Sequence, residues 1–197
     1  MPIKKPEISP KILEMLKNKQ FGPSDIKWIK TINDSSTGNL SSSNAYLYPD
    51  PRVIKDNDGI FFCLQVNQRF EMTLLKPEPG DLILLYQKLE DQTIKCFTHL
   101  VTPVDDKVVP CPYSGGGWNG RWVKVIAMTQ NKAIKSIEAL TADWEKMPFR
   151  SFLSNLSFPN GAIWEIANEK LFDKPLSNKV LSDLQKYIMP KFEKWKQ

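Results

Sequence analysis

The side chains with most chemical potential in this sequence are aromatic and amide. Tyr46, Tyr48, Tyr86, Trp118 and Trp122 are interspersed with Gln65, Asn67, Arg69, Asn119 and Arg121. An aromatic ring can stack on a nucleobase, a contact worth about 1–3 kcal/mol, and an amide or guanidinium can read a base edge. The alternative use of such rings is packing, and Trp28, Trp144, Trp164 and Trp195 are read as core or helix-face residues. Trp118 differs from these, because it follows Gly115-Gly116-Gly117 and precedes Asn119 in a segment with the composition of a loop. Loops on a rigid scaffold are where binding residues concentrate.

Other chemistries are poorly supplied. His99 is the single histidine, so a histidine-rich metal site is excluded and only a mixed thiol site could be built. Phe97-Thr98-His99-Leu100-Val101 has the pattern of an apolar strand, which predicts a half-buried histidine rather than the base of a Cys–His pair. The chain has no Gly-x-Ser-x-Gly, no phosphate loop and no Gly-x-Gly-x-x-Gly. Asp50 with Asp105-Asp106-Lys107 imitates the carboxylates and lysine of a magnesium-dependent nuclease, which would require convergence on one octahedral site. Asp105-Asp106 also reads as a hairpin turn with solvated charges, following Pro103-Val104 and preceding two valines. No metal and no cofactor is expected.

Charge is unevenly distributed. The chain carries 27 Lys and Arg against 22 Asp and Glu, a formal charge of +5. Residues 1–30 sum to +4, residues 31–106 to −5 and residues 107–197 to +6. Phosphate contacts are therefore expected from the termini and from residues 107–150, with Arg121, Lys124, Lys132 and Lys135 as candidates. Cys63, Cys96 and Cys111 are odd in number and lack Cys-x-x-Cys spacing, which suits a reducing compartment rather than a disulfide scaffold. The N-terminus has charges but no following apolar stretch, and the runs Gly59–Leu64 and Leu82–Tyr86 are too short to span a bilayer. A soluble, cytoplasmic protein is the expectation.

The elements that must position these residues form a β block flanked by helices. Ser9-Pro10 with Ile12, Leu13 and Leu16 predicts a capped helix. Ile26, Trp28 and Ile29 could belong to a helix or a strand, and a polar loop follows from Asn33 to Asn44. Strands are predicted at Ile60–Val66, at Leu82–Tyr86 after the Pro-Glu-Pro-Gly turn, over Ile94–Val104 and over Arg121–Met128. Short helices are predicted at Ser136–Leu140 and Phe149–Leu153, a brief strand at Leu156–Phe158, and a helix over Asn160–Leu171. Ser177 opens a closing helix with Val180, Leu181, Leu184 and Ile188 on its apolar stripe, which Pro190 should kink or end.

The order of these segments resembles the EVE domain of the PUA-like superfamily. Phe62–Val66 with Asn67 and Arg69 precedes a Gly80-Asp81-Leu82-Ile83-Leu84-Leu85-Tyr86 strand, then Phe97–Val104, then the Trp strand Arg121–Val125. After these come Ile137-Glu138-Ala139-Leu140, Met147-Pro148, Leu156-Ser157-Phe158 and a helix with Trp164-Glu165-Ile166. The resemblance spans about residues 60–170. The opening Trp strand of the family could be supplied only by Trp28-Ile29-Lys30, which a long Ser-rich loop separates from the rest.

The resemblance implies an α+β fold, a small twisted PUA-like β-barrel with flanking helices, here followed by an extra C-terminal helix. It implies residues 57–174 as the domain, 1–56 as a helical and loop segment packed on it, and 175–197 as the added helix. It also implies a non-catalytic module that binds DNA or RNA and reads a modified base flipped into an aromatic pocket. Gln65, Asn67, Arg69 and Tyr86 would line that pocket, with Trp118 and Trp122 as wall or lid. Two other classes stay open: a magnesium-dependent nuclease or other hydrolase using Asp50, Asp105 and Asp106, and a protein-interaction module offering Val180, Leu184 and Ile188 to a partner protein.

Overall fold

The computed structural model describes residues 3–32, 52–88, 95–112, 116–128 and 162–166, with Ser182, Gln185, Lys186, Met189 and Pro190. Helix α1 (Pro10–Asn18) begins at Ser9 with proline in its first turn, as the sequence predicts, though the Ser9 side chain makes no capping bond. The start is held by the Ser9 carbonyl, which accepts from the N–H groups of Ile12 and Leu13 at 3.0 and 3.1 Å. Strands β1 (Ile26–Ile32), β2 (Ile54–Asp56), β3 (Gly59–Asn67), β4 (Leu82–Lys88), β5 (Lys95–Pro103), β6 (Val109–Pro110), β7 (Trp118–Met128) and β8 (Ile163–Glu165) follow.

These strands make one mixed sheet in the order β2-β3-β7-β5-β4-β1-β8, with β6 paired to β7 beside this path. The sheet is not closed among the described residues. The fold is α+β and mostly β. The single parallel pair among the described strands is β1 with β4, and every other pairing is antiparallel.

The sheet is covered differently on its two faces. On the first, Ile32, Phe62, Leu64, Val66, Ile83, Leu85, Val101, Val123 and Ile163 form the larger core, joined by Leu74. On the second, Phe61, Cys63 and Trp122 pack with Ile8, Leu16 and Val104, and α1 adds Ile12 and Leu13 at the margin. Covering on both sides is why Phe61 to Leu64 is buried without interruption, a continuous apolar run rather than an alternating one.

Two expectations are corrected here. The first 56 residues are more than helix and loop, because β1 lies inside the sheet between β4 and β8 and β2 forms its other edge. Residues 163–165 are a strand and not part of a helix: Ile163 and Trp164 pair with Lys30 and Ile29 of β1. Their Ile-Trp-Glu-Ile pattern satisfies both helical spacing and β-propensity, and pairing with β1 decides the matter. Pro190, expected to end or kink the last helix, is itself helical, and the residues after it lie outside the described ones.

Two described positions of that helix face inward: Gln185 Nε2 donates to the Ile26 carbonyl of β1 at 2.8 Å and Met189 is buried. Val180, Leu184 and Ile188, proposed as a partner face, lie outside the described residues. No described helix is long and apolar enough to cross a membrane.

Candidate functional site

The register of β3 with β7 determines which side chains are neighbours. Phe61 pairs with Lys124, Cys63 with Trp122, Gln65 with Gly120 and Asn67 with Trp118. Directly opposed residues share a face, so Gln65, Asn67, Trp118 and Trp122 all stand on the second face, the one that α1 covers in part.

Trp122 is nonetheless not a pocket wall. It is 4% exposed and belongs to the small core with Ile8, Leu16, Phe61 and Cys63. The correction has a simple cause: α1 and the N-terminal segment dock over that half of the ribbon. Trp118, at the other end, is half-buried.

Around Trp118 the chain builds a polar rim. The Gln68 N–H donates to the Gly117 carbonyl at 2.9 Å, tying the turn before β7 to the end of β3. Gly117 has φ +94° with open space where a side chain would project, so its requirement for glycine is one of backbone conformation. The Asn67 side chain caps the 3₁₀ segment Gln68–Thr73 by accepting from the Arg69 N–H at 3.2 Å. Arg69 is exposed, its guanidinium 4.6 Å from the Phe70 ring centre. Asn119, on the opposite face from Trp118, donates through Nδ2 to Glu71 Oε2 at 2.5 Å. Gln65 Oε1 accepts from the Cys111 thiol at 3.0 Å, and the Cys111 N–H donates to the Trp118 carbonyl at the same distance.

Tyr86 does not join this group. It pairs with Thr31 and Phe97 near the end of β4. Phe97 lies two residues beyond His99, whose partner is Met128 at the far end of β7 from Trp118. Tyr86 and Trp118 are thus separated along the strand path by about a dozen residues, on the order of 40 Å at about 3.3 Å per residue. A pocket made of Gln65, Asn67, Arg69 and Trp118 therefore excludes both Tyr86 and Trp122.

Arg121 is also corrected. It is 3% exposed, and its guanidinium donates to the carbonyls of Leu74 and Pro77, both at 2.6 Å, and to the carbonyl of Asp105. These acceptors come from two separate turns, so Arg121 is a clamp within the fold and presents nothing to a phosphate. Lys124 is half-buried with its ammonium 5.9 Å from the Phe61 ring centre, on the second face. Lys132, Lys135, Tyr46, Tyr48 and Asp50 lie outside the described residues.

Asp105 and Asp106 form a turn after β5, with Asp105 Oδ1 accepting from the Lys107 N–H at 3.1 Å. Asp106 is exposed, but Asp105 is half-buried, lies 3.8 Å from Arg121, and burial raises its carboxyl above the usual carboxylate range. Among the described residues no group of three or more His, Cys, Asp or Glu is placed to hold a metal ion. His99 is fully buried rather than half-buried, edge-on to Phe62 at 5.7 Å and 2.8 Å from the Thr98 hydroxyl through Nδ1.

Two features escape the sequence reading. Asp81, of the Gly-Asp pair, receives the Trp28 indole N–H at 3.1 Å, the Lys27 ammonium at 2.6 Å and the Glu78 N–H at 3.1 Å. It thereby fixes the start of β1 against the turn before β4, and these bonds hold its carboxyl below the usual range despite burial. Lys30 is 2% exposed in register with Leu85 and Ile163 of the larger core, and burial lowers its ammonium to about 7. Strand parity with Trp28 and Ile32 was the available signal for Lys30.

No family model matches the chain, and neither a curated protein nor a solved structure is found similar to it.

Proposed function

We propose that the chain is a nucleic-acid-binding module of the EVE, PUA-like type, which takes an unstacked base at the open end of the β3–β7 ribbon. The observation that carries the reading is the position of Trp118: half-buried, beside the Asn67 amide, at the end of the ribbon that leads to the exposed Arg69. A ring so placed offers one face to a base, worth about 1–3 kcal/mol. Asn67 and Gln65, on the same face, are the groups that would read its edge. Arg69 beyond them supplies charge to a phosphate, and Lys124 lies further along the same face.

The order of strands supports the same reading. Those that carry the resemblance, β3, β4, β5 and β7, follow in that order in sequence, with the two-residue β6 between β5 and β7, and occupy the middle of one sheet as β3-β7-β5-β4. Trp28, on the one segment that could supply the family's opening Trp strand, lies on β1 beside β4. With Tyr86 and Trp122 elsewhere, the described site has one aromatic wall, which favours a base already single-stranded or easily unstacked over one extracted from a stable duplex.

The test is an anisotropy titration of labelled single-stranded and duplex oligonucleotides over a range of salt. Binding should favour the single strand, and its logarithm should fall with log salt by about 0.7 per phosphate contact. Arg69→Ala should reduce that slope by about one contact. A salt-independent affinity, or equal slopes for wild type and Arg69→Ala, counts against the proposal.

A further inference from the structure

Asn67 does two things at the end of β3, and the first fixes the second. Its Oδ1 accepts from the Arg69 N–H at 3.2 Å and caps the segment Gln68–Thr73. Only the oxygen of an amide can accept that bond, so the Nδ2 group is turned the other way. Among the described residues Nδ2 donates to no acceptor. Asn67 stands directly opposite Trp118 in the β3–β7 register, and opposed residues share a face with Cβ atoms about 5 Å apart.

The neighbouring polar groups have the same bias. Gln65 lies two residues back on that face, and its Oε1 accepts from the Cys111 thiol at 3.0 Å. Glu71 Oε2 accepts from Asn119 Nδ2 at 2.5 Å. These three side-chain oxygens are engaged by donors of the protein itself. Arg69 is exposed, and a guanidinium has N–H donors and no acceptor. What Asn67 and Arg69 can offer a ligand is therefore N–H groups.

We propose that the site selects its base by an exocyclic oxygen, taking uracil, thymine, guanine or hypoxanthine in preference to cytosine or adenine. This inference rests on the function proposed above and adds which bases the site takes. A base lying on the Trp118 ring brings one edge to Asn67. The O4 of uracil or thymine and the O6 of guanine or hypoxanthine accept from Nδ2. Cytosine and adenine carry an amino group at the same ring position. Donor then faces donor, and both groups lose the hydrogen bonds they made to water.

The experiment measures anisotropy with the full chain and short single-stranded oligonucleotides in which one base is flanked by abasic sites. Uracil is compared with cytosine, and hypoxanthine with adenine. Within each pair the difference is oxygen for amino at one ring carbon, with the ring proton that accompanies it. The oxo member of each pair should bind about fivefold tighter, the value of one hydrogen bond. Asn67→Asp keeps an oxygen for the Arg69 N–H and replaces the donor by an acceptor. Its melting temperature should hold, while both preferences fall to parity or reverse. The added negative charge weakens all four oligonucleotides alike, so the ratio within a pair is the readout. Asn67→Ser, which also keeps an oxygen for the cap and lacks the amide donor, replaces Asn67→Asp if that variant does not fold. Equal binding within both pairs, tighter binding of the amino members, or a preference that the variants leave unchanged overturns this inference while the binding function stands. Absence of binding to all four oligonucleotides counts against the proposed function, and the inference falls with it.

Discussion

Trp118 and Trp122 lie on one strand and one face, yet they live in different environments. Trp122 is sealed beneath α1 with Ile8 and Leu16, whereas Trp118 stands at the uncovered end among amides and glycines. Residue type and strand parity are the same for both. What separates them is which half of the β3–β7 ribbon another element covers, so the same ring is sealed in a core at one end and only half-buried at the other.

The largest effect that would sharpen this contrast is on stability. Trp122→Ala should cost about 3–5 kcal/mol, as expected for a large core aromatic. Trp118→Ala should cost under about 1 kcal/mol. Denaturant unfolding of the two variants measures both, and comparable losses would mean that Trp118 is core as well.

Arg121→Ala should follow, at about 3 kcal/mol, because two buried carbonyls and the half-buried one of Asp105 lose a charged donor. Its salt slope of oligonucleotide binding should stay that of wild type, which separates a clamp from a phosphate contact.

Lys30 offers a smaller, pH-dependent effect. Its value of about 7 in the fold lies below the ordinary 10.5. Between those values the unfolded chain holds more protons, so stability rises with pH, by up to about 1.4 kcal/mol per pH unit. Lys30→Met should flatten the rise between about pH 7 and 9. An unchanged pH profile would mean that Lys30 is charged in the folded protein.

Much of the strand content was legible in the sequence, because β3, β4, β5 and β7 are β-branched and aromatic runs bounded by proline, glycine and aspartate turns. Segment 26–32 was ambiguous, and 163–165 was misread, because both satisfy two periodicities and only their pairing with each other and with β4 selects strand. The site was legible in part. Gln65, Asn67, Arg69 and Trp118 share one end of a ribbon since they lie near its ends in sequence. That Tyr86 falls at the opposite end depends on a register passed through three strands, which no local pattern encodes. Arg121 looked like a surface cation because its acceptors, Leu74, Pro77 and Asp105, are distant in sequence and reach it only in the folded chain.

The most direct measurement of the central claim is the affinity of Trp118→Ala for a single-stranded oligonucleotide, taken beside its melting temperature. The predicted result is a loss of about 1–3 kcal/mol in binding with the melting temperature nearly unchanged. Wild-type affinity together with a large fall in melting temperature would contradict the account and place Trp118 in the core with Trp122.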